Sequence, residues 1–239
     1  KELSCEIISA DSRQFYKEMS IGTAKTDASE MLGIPHHFVD FISIHDNYNA
    51  GKFESDVLRF LEKYFIRKNI ALLVGGSGMY VQAVCDGMDK IPNSDKIIRE
   101  KLKEEHKEHG IESLLEKLQS LDSKYYEMVD KKNPHRIIRA LEVCLISGLP
   151  YSSFRKRDKK THNGMENISE MVEEECRTDV SKHSVSRGEG KKKICNFNVL
   201  KIGLDLPRPT HYERINNRVD EMIRKGLLNE AEKLFPFRN

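Results

Sequence analysis

The chain has 239 residues, 33% of them charged and 38% hydrophobic, with a formal net charge of +2. That length allows one large domain or a core with a smaller second domain, and the composition is that of an ordinary soluble protein. So small a net charge announces no nucleic-acid partner, and any basic site has to be local. No apolar run approaches the roughly 20 residues of a membrane span, and no charged-then-apolar leader opens the sequence. A soluble, cytoplasmic protein without membrane contact is expected. The five cysteines, Cys5, Cys85, Cys144, Cys176 and Cys195, are scattered without a C-x-x-C pair and read as reduced thiols. Among nine histidines, His36-His37 and the His106/His109 pair lack a third ligand, so no metal site is expected from side-chain spacing.

In chain order, Cys5 to Ala10 reads as a short buried strand that runs into four polar residues, Asp11, Ser12, Arg13 and Gln14. The stretch "NAGKFESDVLRFLEKYFIRKN" places Phe53, Val57, Phe60, Leu61, Tyr64 and Phe65 at helical spacing. Ile70 to Val74 is a continuous aliphatic run of the kind found in sheets covered on both faces. It ends in Gly75-Gly76-Ser77-Gly78 before the helical "MYVQAVC". Strand, glycine turn and helix make an α/β unit.

From Ile91 the pattern turns helical. Ser94 is the candidate cap of a charged helix running to Gly110, and Ile111, Leu114, Leu115, Leu118 and Leu121 continue at helix spacing. A short helix is expected around Tyr125 to Val129. "NPHRIIRALEVCLISG" then supplies an Asn133 cap, Pro134 at the first helical position and Gly148 as a stop. Helices without strands predict an inserted subdomain. Charged blocks between Arg155 and Lys193 predict a mobile loop. "NVLKIGLDL" has strand character, and Thr210 with Glu213 reads as a capping box for a helix with Ile215, Val219, Met222 and Ile223 inward, ended by Gly226.

Three stretches have the chemistry of a site. Ligands of open α/β sheets gather at the carboxyl ends of strands, which places Asp11 well for proton transfer and Ser12, Arg13 and Gln14 for donation to a base or phosphate. A turn cap is the plainer reading of Asp11. Gly75 to Gly78 would let a substrate approach the main chain, or simply turn it. In "HRIIR", His135, Arg136 and Arg139 share a side of the helix while Ile138 faces the core; this suits phosphate contacts and equally a solvated basic face. Arg214 and Arg218, four apart, admit the same two readings. No G-x-x-x-x-G-K-[ST] phosphate loop occurs.

Taken together and in order, "EIISADSRQFYKEMSIGTAK", "IPHHFVDFI", "LLVGGSGMYVQAV", "NPHRIIRALEV" and "RINNRVDEMIRKGLLNEA" resemble the tRNA dimethylallyltransferase (tRNA isopentenyltransferase) family. The resemblance covers nearly the whole chain outside about Thr161 to Lys193. It implies an α/β, P-loop NTPase-like parallel-sheet core over 1–91 and 194–239, a helical tRNA-binding insertion over 92–158 and a charged loop over 159–193. It further implies a monomer that transfers a dimethylallyl group from dimethylallyl diphosphate to N6 of the adenosine beside the anticodon, with Mg2+ assisting departure of the diphosphate and the tRNA anticodon stem-loop as partner. Carried onto matching positions, the catalytic base falls on Asp11. The tRNA contacts fall on Asp11, Ser12, Arg13, Gln14, Ser77 (threonine in most of the family), Arg99, His135, Arg136, Ile137, Ile138 and Arg139, and Arg218 is a candidate partner for the diphosphate.

The family's phosphate loop should precede the "EIISAD" strand by about a helix. The opening Lys1 and the closing "KLFPFRN" therefore predict a piece of a longer protein, with little transferase activity by itself. Two other readings remain open: an adenylate isopentenyltransferase acting on free nucleotides, and a non-catalytic tRNA-binding remnant.

Overall fold

A computed structural model of the chain describes residues 3–155 and 197–237; the loop expected over 159–193 lies outside them. The described residues form two compact units, 3–88 with 197–237, and 89–155.

The first unit is built on three short strands, β1 (Ile7–Ser9), β2 (His36–His37) and β3 (Leu72–Val74), in a parallel sheet of order β2-β1-β3. Ile7 lies between His36 and Leu72, and Ile8 between His37 and Leu73. Parallel strands need crossovers, and helix α1 (Ala50–Tyr64) lies in the one that carries the chain from β2 past β1 to β3. Asn49 caps α1 by accepting from the Lys52 N–H, and Ala50, Phe53, Val57, Leu58, Leu61 and Tyr64 make its buried stripe. The Tyr64 hydroxyl accepts from the Glu6 N–H (3.0 Å) and donates to the Ile70 carbonyl (2.8 Å), fastening the approaches to β1 and β3. Helix α2 (Gly78–Asp86) follows β3 and packs on α1.

The sheet is covered on one face by the described residues, not on both. Leu73 packs into the core with Ile8, Phe15, Phe53 and Val84, whereas its pleat neighbours Leu72 and Val74 are 41% and 49% exposed. The expected strand over "NVLKIGLDL" is likewise absent. Leu200, Ile202 and Leu204 keep the alternating pattern but are 73% to 98% exposed, because no described strand offers them a ladder. Helix α7 (Arg208–Arg224) is capped at Pro207, three residues before the expected Thr210 cap, with Pro209 in its first turn setting the backbone angle. Its Ile215, Val219 and Ile223 are exposed rather than inward. Gly226, at φ +96°, turns the chain into α8 (Leu227–Leu234), which ends in the 3-10 turn Phe235–Phe237.

The second unit is all helical: α3 (Lys96–Leu121), α4 (Ser123–Met128), α5 (Pro134–Ser147) and α6 (Tyr151–Phe154). Helix α3 breaks at Gly110, where φ is +78°, close to the stop that its glycine predicts. Its cap is Asp95, which accepts from the Ile97 and Ile98 N–H groups; Ser94, the expected cap, points its hydroxyl elsewhere. Helix α5 keeps every predicted terminal feature, with Asn133 accepting from the Arg136 N–H, Pro134 in the first turn and Gly148 left-handed at the end. Leu102, Leu114, Leu118, Tyr125, Ile137 and Leu141 form the core. The buried Asp122 carboxylate accepts from the N–H groups of Tyr125 and Ser152 and from the Ser152 hydroxyl, joining α4 to α6. No described helix is long and apolar enough to cross a membrane.

Candidate functional site

In the first unit the polar run Asp11–Gln14 is pinned between two fully buried residues, Ala10 and Phe15. The Phe15 ring is surrounded by Phe41, Tyr48, Phe53 and Tyr80 at 5.2 to 5.6 Å between centroids. Within the run the chain turns tightly. Asp11 Oδ1 accepts from the Arg13 N–H at 2.9 Å, and the Gln14 N–H donates to the Asp11 carbonyl at 3.1 Å. Asp11 thus caps its own turn with one oxygen, while its Oδ2 has no hydrogen bond among the described residues.

The glycine turn after β3 grips this run through the main chain and the Ser77 hydroxyl. The Ala10 N–H donates to the Val74 carbonyl (2.7 Å), and the Ser77 N–H donates to the Ala10 carbonyl (3.3 Å). The Ser12 N–H donates to Ser77 Oγ (2.9 Å), and the Ser77 hydroxyl to Ser12 Oγ (3.0 Å). Gly75 sits so close that a Cβ there would lie 2.4 Å from the Ala10 carbonyl carbon and 2.8 Å from the Asp11 nitrogen. Only glycine permits that approach. Asp11, Ser12 and Ser77 are therefore brought together.

Gln14 is turned inward. Its amide donates to the Thr23 and Ala24 carbonyls, and its oxygen accepts from the buried Ser9 hydroxyl. Arg13 is exposed. The following loop is held by Glu230 of α8, whose carboxylate accepts from three successive N–H groups, Ser20, Ile21 and Gly22, at 2.8 to 2.9 Å. Burial pushes the Glu230 carboxyl up, but these bonds outweigh it and hold the group below the usual carboxylate range. Arg218 is exposed on α7.

In the second unit Arg99 and Arg139 meet at one carboxylate. Glu142 is fully buried; its Oε2 accepts from Arg99 Nη2 and Arg139 Nη1, both at 2.7 Å. Its Oε1 accepts from the Ser94 hydroxyl (2.6 Å) and the Asp95 N–H (2.8 Å). Arg139 Nη2 also donates to the Pro92 carbonyl at 2.6 Å. Burial raises the Glu142 carboxyl, yet the bonds from Ser94, Arg139 and Arg99 prevail and the group stays below the ordinary range. His135 and Arg136 are exposed in the first turn of α5. Ile137 and Ile138, carried over with the rest of that stretch as RNA contacts, are core residues.

Sequence reasoning missed Ser9 and Glu142 as organisers of these two groups, and Glu230 as the anchor of the loop Ser20–Gly22. For Glu142 a signal was present, since it lies three residues beyond Arg139 on the helix face that also carries Leu141 and Ile138. Among the described residues no cluster of three or more His, Cys, Asp or Glu could hold a metal ion.

The IPP transferase family model matches residues 14–239. A tRNA dimethylallyltransferase of Flavobacterium psychrophilum is 41% identical over 99% of this chain and 68% of its own length. One of Christiangramia forsetii is 42% identical over 97% of this chain and 66% of its own. The chain thus spans about two thirds of the length of these relatives. Among solved structures, the full-length tRNA isopentenylpyrophosphate transferase of Bacillus halodurans is 30% identical, with a TM-score of 0.53 over 98% of this chain and 63% of its own. A eukaryotic dimethylallyltransferase acting on tRNA, at 22% identity and TM-score 0.63 over 99% of this chain and 50% of its own, shares the fold. The match of the family model over residues 14–239 and the identity of 41% and 42% to these relatives place the chain in the IPP transferase family.

Proposed function

We propose that the protein of which this chain is part transfers a dimethylallyl group from dimethylallyl diphosphate to N6 of the adenosine 3'-adjacent to the anticodon of tRNA. The exocyclic N6 is a poor nucleophile. In this reading Asp11 accepts a proton from N6 as N6 bonds to the allylic carbon, and the carbon–oxygen bond to diphosphate breaks with its electron pair leaving on the diphosphate. The observation that carries the reading is the placement of Asp11 at the carboxyl end of the central strand, one oxygen in its own turn and the other without a hydrogen-bond partner among the described residues.

The target base has to leave its stack to reach such a carboxylate. Arg13, exposed beside Asp11, and the His135, Arg136 and Arg139 row supply donors for the RNA backbone. Arg218 can meet the diphosphate through two parallel bonds. Gln14, committed to Thr23 and Ala24, acts by shaping the turn.

The test is transfer of labelled dimethylallyl to an anticodon stem-loop and to AMP, by this chain and by a longer polypeptide that contains it. Transfer to the stem-loop that Asp11→Ala abolishes is the expected result. Transfer to AMP instead selects the adenylate enzyme. Stem-loop binding without any transfer selects the non-catalytic remnant.

A further inference from the structure

The buried carboxylate of Glu142 plays no part in the chemistry above, yet it is the most heavily bonded side chain of the second unit. A carboxylate with no exposed surface is costly unless it is paired and its lone pairs are filled. Glu142 meets both conditions with four donors, two on each oxygen. Two of these are guanidiniums converging on the same oxygen, so one negative charge faces two positive ones. Glu142, Arg99 and Arg139 together carry a surplus of one positive charge, and the Asp95 carboxylate is spent on the N–H groups of Ile97 and Ile98.

That surplus is not buried. The side chains of Arg99 and Arg139 are 37% and 29% exposed, whereas Glu142 is not exposed at all. A guanidinium has five N–H groups in a fixed plane. Among the described residues Arg99 gives one nitrogen to protein and Arg139 two, the second holding Arg139 to the Pro92 carbonyl. The remaining donors lie on two planar groups whose positions are fixed by a shared anchor rather than by flexible stems. Two guanidiniums this close would repel without the carboxylate between them.

We propose that Glu142 is a positioning residue that presents Arg99 and Arg139 as a paired guanidinium fork to a phosphate of bound RNA. The proposal rests on the tRNA reading above and adds to it the residue that sets the fork. It carries an unusual sign. Replacing Glu142 by glutamine removes a negative charge from beneath the fork, so a site governed by charge alone binds RNA more tightly. A site governed by position binds it more weakly, because the neutral amide accepts through one oxygen only: with that oxygen toward the arginines its N–H groups oppose the Asp95 N–H, and turned the other way they oppose the guanidiniums.

The experiment is titration of the chain with a labelled anticodon stem-loop at several salt concentrations, with melting temperature as the folding control. Glu142→Gln is expected to weaken binding roughly 10-fold, about the loss of one hydrogen bond to a charged group, although its net charge rises. Affinity equal to or above the parent's, in a folded variant, overturns the proposal. A second variant, Arg99→Lys with Arg139→Lys, keeps every charge and loses only the planar donors. It too is expected to bind more weakly, and unchanged affinity there overturns the proposal even if Glu142→Gln does not fold. If the parent chain binds no stem-loop, the tRNA reading fails and this inference with it. If the parent binds and the variants match it, only this inference fails.

Discussion

In the turn after β1 the main chain does most of the holding: Asp11 is placed by the hydrogen bonds of Ala10 with Val74 and Ser77 and by the close approach of Gly75, with the Ser77 hydroxyl accepting from the Ser12 N–H. In the helical unit a single side chain does it, because Glu142 alone gathers Arg99 and Arg139. The first arrangement tolerates changes in most side chains and fails where a Cβ is added. The second tolerates changes around it and fails at one carboxylate. Reacting groups need positions good to a fraction of an ångström, while phosphate contacts accept more latitude. Under the proposed function the two means of support follow that difference.

The largest expected effect lies in the first arrangement. In a polypeptide that transfers dimethylallyl to RNA, Asp11→Ala is expected to lower turnover by about 10² to 10⁴ while stem-loop affinity stays the same. A near-normal turnover removes Asp11 from the mechanism. Gly75→Ala leaves Asp11 in place chemically but displaces it, and a loss of about 10² in turnover without a change in affinity is expected. If affinity falls instead, the turn serves RNA binding rather than proton transfer.

On the helical side, removing both Arg99 and Arg139 leaves Glu142 buried and unpaired. This is expected to destabilise that unit by about 3–5 kcal/mol, read from denaturant unfolding. Either single variant should cost less, because the other arginine remains. Acid should act in the same sense. A carboxyl held below its ordinary range contributes stability that is fully present above the unfolded-state value of about 4.3. That contribution is lost as pH falls through the lower folded-state value. Both Glu142 and Glu230 behave this way, so melting temperature should drop as the pH is lowered below about 4, and Glu142→Gln should flatten the drop. The smallest effect is at the helix cap, where Asn133→Ala is expected to cost about 1 kcal/mol and to leave the fork intact.

Much of this was legible in the sequence where the cause is local. Asn133, Pro134 and Gly148 mark the ends of α5 because cap, ring and left-handed turn act within one helical turn. The apolar-to-polar break at Asp11 was legible for the same reason. Ser94 was read as a cap because it has the right hydroxyl. Asp95, one residue on, has the better acceptor, and Ser94 was drawn to Glu142, 48 positions away. "NVLKIGLDL" shows the limit from the other side, since alternation states a preference for a ladder and cannot supply its partner. The grip of Gly75 on Ala10 and Asp11 could not be foreseen from spacing, because the distance between two strands' ends is a property of the sheet.

The Glu230 contact has a bearing on how the protein is made. The loop Ser20–Gly22, close behind the proposed base, receives its anchoring carboxylate from a residue 208 to 210 positions later. Contacts of such long sequence separation form late, since a long loop has to close before any bond rewards it. During synthesis on the ribosome, the strand and turn that carry Asp11 emerge among the first residues of this stretch, yet the loop beside them stays without its anchor until α8 has left the tunnel. Assembly of the first unit is therefore completed from its far end.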